Sequence, residues 1–238
     1  MKSLIDKYQK CISDYFRQLT LALAYISIGA KTISASPQNI SIQLTLDKDI
    51  VTEPMFLKDL LAYNLNVEDS MLELFQHKLI ASWHDLLTDL FSHFLEQHFS
   101  HKRRFTELKR KAPKIDFSSD IDLVIQIREG LLVDFSFEKY TERIRIINGI
   151  LNPAKNCDNE LSFIKKHVFI RNAIQHHEGQ VYNDMMKELG IAQLQMLNKE
   201  AENTLLKVND KIKLSIPELD ALKRALFRIS NEWRNANA

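Results

Sequence analysis

Between Val67 and Phe99 the apolar residues Leu72, Phe75, Leu79, Trp83, Leu86, Leu90 and Phe94 recur every three or four positions. That is the period of one long α-helix, and the stripe is broad enough for a central packing element. Breakers are scarce throughout, with five glycines and five prolines in 238 residues, so long helices should dominate. The expected fold class is all-α, a helical bundle with an N-terminal helical extension and one or two short β-hairpins or strands.

A first helix is predicted from about Ser3 to Gly29, with Leu4, Tyr8, Cys11, Tyr15 and Leu19 at intervals of three and four. Its apolar run LTLALAYISIGA, residues 19–30, is shorter than the roughly 20 residues a membrane helix needs and follows a charged stretch. It reads as buried helix. In ISIQLTLD, Ile40, Ile42, Leu44 and Leu46 alternate with polar residues, so residues 30–54 read as a connector carrying one strand. The chain divides on this reading into residues 1–66, a helix and connector packed on the bundle, and a helical domain over 67–238. Residues 119–136 are ambiguous between a helix broken at Gly130 and a hairpin, with the helix preferred because a bundle surrounds the stretch. Helical spacing resumes in KYTERIRIINGIL, and another helix starts near Asp158. KVNDKIKLSIPEL looks like a small hairpin about Asn209 and Asp210, before a closing helix from Pro217 to about Trp233.

A formal net charge of +1 supplies no global attraction to nucleic acid or anionic lipid, so polyanion binding has to come from local patches. Cys11 and Cys157 lie far apart with no zinc-like companion spacing, which fits reduced thiols in a cytoplasmic protein. No metal or cofactor is expected. His77 and His84 sit two positions before Leu79 and Leu86, about 200° around the helix from the stripe, and are expected to face water. His98 and His101 have no companions to complete a ligand set. HKRRFTELKRKAPK, residues 101–114, gathers seven Lys and Arg residues. Lys102, Arg103 and Arg104 there are candidate RNA-phosphate contacts, with Phe105 available for stacking. The other reading is a solvated helix end.

One short stretch, RNAIQHHEG at residues 171–179, concentrates polar and titratable groups at the end of an apolar helix. Arg171 and His176 stand in R-x4-H spacing, which alone is common in a chain with eleven arginines and eight histidines. The company is more specific: Asn172 after the arginine, Ile174 two before the histidine, then His177, Gly179 and Val181. In these residues the chain resembles the HEPN superfamily, helical proteins whose ribonuclease members carry R-x4-6-H with a polar residue, often asparagine, after the arginine. The resemblance extends over the helices from about residue 67 to 233. It implies that Arg171, Asn172 and His176 hold the family's motif positions, with His177 satisfying the looser spacing. It further implies a homodimer with a composite site between subunits, RNA as substrate, and a toxin or antiviral role in which a partner protein such as an antitoxin neutralises the activity.

The residue types suit that chemistry. RNA carries its own nucleophile, the 2′-hydroxyl, so cleavage needs a proton acceptor and a cation on the phosphate, and no metal. Histidine titrates near neutrality, and arginine presents a planar fork of donors to phosphate oxygens. On a regular helix Arg171 and His176 lie roughly 140° apart, whereas Asn172 and His176 share a face. Either the helix ends near His176 or two copies of the motif meet across a dimer axis. Three readings stand beside one another: a metal-independent endoribonuclease, a non-catalytic HEPN-type module that dimerises and binds RNA or a partner, and a helical interaction protein. In the last, Arg171 pairs with an acidic neighbour and His176 and His177 cap a helix end.

Overall fold

A computed structural model describes residues 1–105 and 115–236. Its spine is a pair of antiparallel helices, α1 (Lys2–Ser34) and α2 (Leu57–Phe99). The contacts fix their direction: the N-terminal amine lies 3.3 Å from His93 Nε2, Tyr8 meets Trp83 with ring centroids 6.1 Å apart, and Leu19 shares a core with Leu72. α2 begins ten residues before the sequence suggested. Phe56 precedes it without a side-chain cap, so no capping signal marks the start, and nothing between 57 and 67 breaks the helix. The division expected at residue 66 falls inside α2.

Four two- or three-residue strands join α1 to α2: β1 (Ser41–Ile42), β2 (Thr45–Asp47), β3 (Ile50–Val51) and β4 (Met55–Phe56). β1 pairs with β4 and β2 with β3, both antiparallel, so the single strand expected here is a nested hairpin. The run at 19–30 is helical but is not buried as expected. Leu19 is covered, while Leu21, Tyr25 and Ile28 are exposed, because α2 is the main element packed along α1 and covers one side of it.

The ambiguous stretch is helix α3 (Leu123–Phe137), unbroken at Gly130. Its start is set by Asp122, whose carboxylate accepts from the amides of Val124 and Ile125, an N-cap worth about 1 kcal/mol. α4 (Tyr140–Leu151) ends at Asn152 in the left-handed region. α5 (Asp158–His176), α6 (Asn183–Leu189), the hairpin β5 (Leu194–Leu197) with β6 (Asn203–Leu206), and α7 (Ile216–Asn235) complete the chain. The fold is therefore mostly helical with short strand pairs.

The hairpin expected about Asn209 and Asp210 is displaced. A turn does form there, with Asn209 at φ 72°, but the chain beyond it runs back along the end of the α5 motif. Val181 N–H donates to Asp210 O, Asn209 N–H to Val181 O, and Ile212 N–H to Gly179 O. The true hairpin lies one segment earlier, where Leu194 and Met196 alternate inward and bury.

Two apolar cores result. The larger is centred on Trp83 and Trp233, stacked at 5.0 Å, and each indole N–H finds a partner, Tyr140 Oη and Asn148 Oδ1 respectively. The second packs Leu72, Phe75, Ile170, Ala173, Met185 and Leu219 with the β5 side chains, and it supports the end of α5 that carries the motif. No helix among the described residues is long and apolar enough to cross a membrane. Cys11 and Cys157 are free thiols.

Candidate functional site

The apolar run Ile164, Val168, Ile170, Ala173 buries one side of α5 against α2, α7 and the second core, which leaves its other side to carry polar residues. Arg171 and Asn172 are half-buried; His176 is exposed and is the last residue of the helix. Past it the backbone turns sharply, with Glu178 at φ 52° and Gly179 at φ 71°. Gly179 N–H then closes on Ala173 O. His177 lies with its ring stacked on Tyr182 at 3.9 Å. The His176 side chain makes no hydrogen bond to any described residue.

The structure joins Arg171 to a residue the sequence reading set aside. Arg171 Nε–H donates to His77 Nδ1 at 3.3 Å, and Gln175 Nε2 lies 3.1 Å from the same nitrogen. His77 and His84 were expected to face water; both are half-buried instead, because α5 and α4 pack on that side of α2. His84 receives Arg143: Nη1 reaches its Nδ1 at 3.0 Å, and Nη2 donates to the His84 carbonyl and to Thr88 Oγ1. Burial, then the charges of Arg143 and Arg171, push the His84 pKa down to about 4. Burial and Arg171 likewise hold His77 below the ordinary histidine range. Both imidazoles are therefore neutral at physiological pH.

The two arginines are spent differently. Arg143 is 6% exposed, lies over the Phe135 ring at 4.8 Å, and uses both terminal nitrogens to tie α4 to α2. Arg171 makes one bond through Nε, and among the described residues it has no carboxylate within ion-pair distance. Most other arginines of the helices are paired: Arg17 with Asp14, Arg145 with Glu142, Arg224 with Asp220, Arg228 with Glu160, Arg234 with Asp6. An arginine whose Nη pair lacks a carboxylate presents a fork that matches a phosphate.

Arg171 and His176 are not brought together within one chain; their separation around α5 is that of a regular helix, roughly 140°. Nor is the basic stretch brought to the motif. Lys102 and Arg104 are exposed and Arg103 lies over Phe105, all beyond the far end of α2, with about 33 Å of helix between His77 and Phe99. Phe105 is buried against Phe94 and is unavailable for stacking on a base, contrary to expectation. Its amide is capped by His98 Nδ1, which gives that histidine a structural task. Residues 106–114, the rest of the basic run, lie outside the described residues. A lysine that is near the motif is Lys211, whose Cε would be 3.9 Å from a Cβ on Gly179.

A second polar cluster escaped the sequence reading altogether. Glu218, fully buried, accepts from Lys166 Nζ at 2.5 Å, from His167 Nε2 at 2.9 Å and from the Leu197 amide at 2.7 Å. Ser215 and Glu218 have the spacing of a capping box, and Glu218 N–H does donate to Ser215 Oγ. The carboxylate, however, turns inward to fasten β5 instead of returning to the helix start. Burial alone would raise the Glu218 pKa; the bond from His167 and the Lys166 charge outweigh it and hold it below the usual carboxylate range. Hollows of about 430 and 590 Å³ flank the β5–β6 hairpin, and none of the four motif residues lines either. Among the described residues no group of three or more His, Cys, Asp or Glu could hold a metal ion. Compared with family models, curated proteins and solved structures, the chain matches none.

Proposed function

We propose that this protein is a metal-independent endoribonuclease of HEPN type, working as a homodimer whose site is assembled from two copies of the α5 motif. The observation that carries the reading is Arg171: half-buried, bonded through Nε to a neutral imidazole, and with no carboxylate beside its terminal nitrogens. Five other arginines in this chain are ion-paired, and Arg143, which also lacks a carboxylate, commits both terminal nitrogens within the protein, as Arg171 does not. The unpaired fork, the exposed His176 at the helix end and Asn172 one turn before it suit a phosphate bound between two subunits better than within one.

In this reaction a histidine takes the 2′-hydroxyl proton and O2′ attacks the adjacent phosphorus. The P–O5′ bond breaks, and the departing 5′-oxygen takes a proton from a second histidine, supplied by the other copy of the motif. The products are a 2′,3′-cyclic phosphate and a 5′-hydroxyl. Arg171 compensates the charge gathering on the non-bridging oxygens. A toxin or antiviral role with a neutralising partner rests on the HEPN resemblance alone.

The test is cleavage of a labelled RNA in the presence of EDTA. The wild type is expected to release cyclic-phosphate ends and to sediment as a dimer. Arg171→Ala and His176→Ala are each expected to lose at least about 100-fold in rate. RNA binding without cleavage would replace this reading with the non-catalytic module, and equal cleavage by the variants would place the chemistry elsewhere.

A further inference from the structure

We propose that His77 is the positioning residue of Arg171, holding its guanidinium by the edge so that both terminal nitrogens face substrate. The inference rests on the ribonuclease reading and adds a residue from outside the motif to that site. An arginine has five N–H donors, and a contact that takes only Nε–H fixes the plane of the guanidinium without using the Nη pair that grips a phosphate in two places. His77 Nδ1 takes that Nε–H at 3.3 Å. Since the nitrogen accepts, it carries no proton, and the ring is the neutral tautomer with its hydrogen on Nε2.

Gln175, one turn after Arg171 on the same face of α5, places Nε2 3.1 Å from the same Nδ1, so that two N–H donors from α5 share its one lone pair. A carboxylate in place of His77 would bind Arg171 more strongly, but it would cancel the charge the phosphate needs. A neutral acceptor orients the cation and leaves its charge intact. One heptad along α2, Arg143 and His84 offer the contrast. There both terminal nitrogens are drawn into protein contacts, through three bonds, and the pair is a clamp between helices.

Two variants separate positioning from mere packing. His77→Leu removes the acceptor, while His77→Asn sets Oδ1 where Nδ1 stood. With RNA substrate, His77→Leu is expected to lower kcat about 10- to 100-fold, as loss of a hydrogen bond to a charged group does, with KM changed less than threefold. His77→Asn should recover most of that rate. Separately, the Nε–H resonance of Arg171, identified by its disappearance in Arg171→Lys, should exchange slowly with water in the wild type and in His77→Asn, and quickly in His77→Leu. An equally fast exchange in all three, or equal kcat in all three, overturns the proposal. A wild type that does not cleave RNA but keeps a protected Nε–H removes the ribonuclease reading and leaves His77 as the residue that orients Arg171.

Discussion

Replacing Glu218 by glutamine keeps the shape of the side chain and removes its charge, at the point where α5, β5 and α7 meet. In the native protein the carboxylate receives Lys166 Nζ, His167 Nε2–H and the Leu197 amide, all donors. Glutamine offers one acceptor oxygen, and its NH2 would face a donor. Lys166 would keep one bond, to Gln195 O, but lose its counter-charge. Breaking a buried pair in this way costs about 3–5 kcal/mol, a large part of the 5–15 kcal/mol typical of a whole domain. The loss should appear in urea unfolding as a lower midpoint with an unchanged slope. Lys166→Met with Glu218→Gln should cost less than the two single changes added, because the pair is then removed together. Acid supplies an independent check. The folded pKa of Glu218 lies below its unfolded value, so the unfolded chain binds the proton first as pH falls. The stabilisation is complete above about pH 4.5 and fades below it, and Glu218→Gln should flatten that part of the stability profile. A loss under about 1 kcal/mol, with the acid limb unchanged, would mean that the cluster is neutral to stability.

Two further outcomes are expected. Gly179→Ala brings its new Cβ into ordinary van der Waals contact, 3.9 Å from Lys211 Cε, but it forces an L-residue to φ 71°; it should cost about 1–2 kcal/mol in urea unfolding, and a change within about 0.3 kcal/mol would place the strain elsewhere. His84 should show no NMR titration above about pH 5, and Arg143→Met should move its midpoint toward 6.5; since the folded pKa is depressed, His84 withdraws stability as pH drops from 6.5 toward 4.

The long helices were legible because their signal is local. The α2 stripe at three and four residue intervals is the buried stripe of the structure, and Leu72, Phe75, Leu79, Trp83, Leu86, Leu90 and Phe94 are all in the core. Pro217 at the first turn marked α7 in the same way. What failed was pairing. Residues 41–42 and 45–47 are extended, but whether such a run makes one strand or a nested hairpin depends on residues 50–56 folding back on it. At Asn209 the turn was readable, and its partner strand was not: residues 209–212 lie along 179–181, some thirty positions away in the chain. Turn residues fix where the chain bends, while hydrogen-bonding partners are chosen by what the bend brings near.

The same limit governs the site. RNAIQHHEG marked α5 as its carrier, yet the residue that touches Arg171 stands 94 positions earlier. A local signal for it does exist. The positions three and four residues either side of Arg171 are His167, Val168, Ile174 and Gln175, and around Arg143 they are Lys139, Tyr140, Ile146 and Ile147; neither set contains an acid, unlike the neighbours of Arg17, Arg145 and Arg224. An arginine without a helical acid, as Arg128 between Val124, Ile125, Leu131 and Leu132 is too, can look for a partner only on another element or in a ligand. His77 and His84, one heptad apart on α2, answer that requirement for both arginines with neutral rings. Arg143 then commits both terminal nitrogens within the protein and Arg171 does not, a difference that no spacing rule separates because it depends on how deeply α4 and α5 seat against α2. Burial turns the first pair into a clamp; partial exposure leaves the second with a charge and the N–H donors of both Nη atoms still to satisfy.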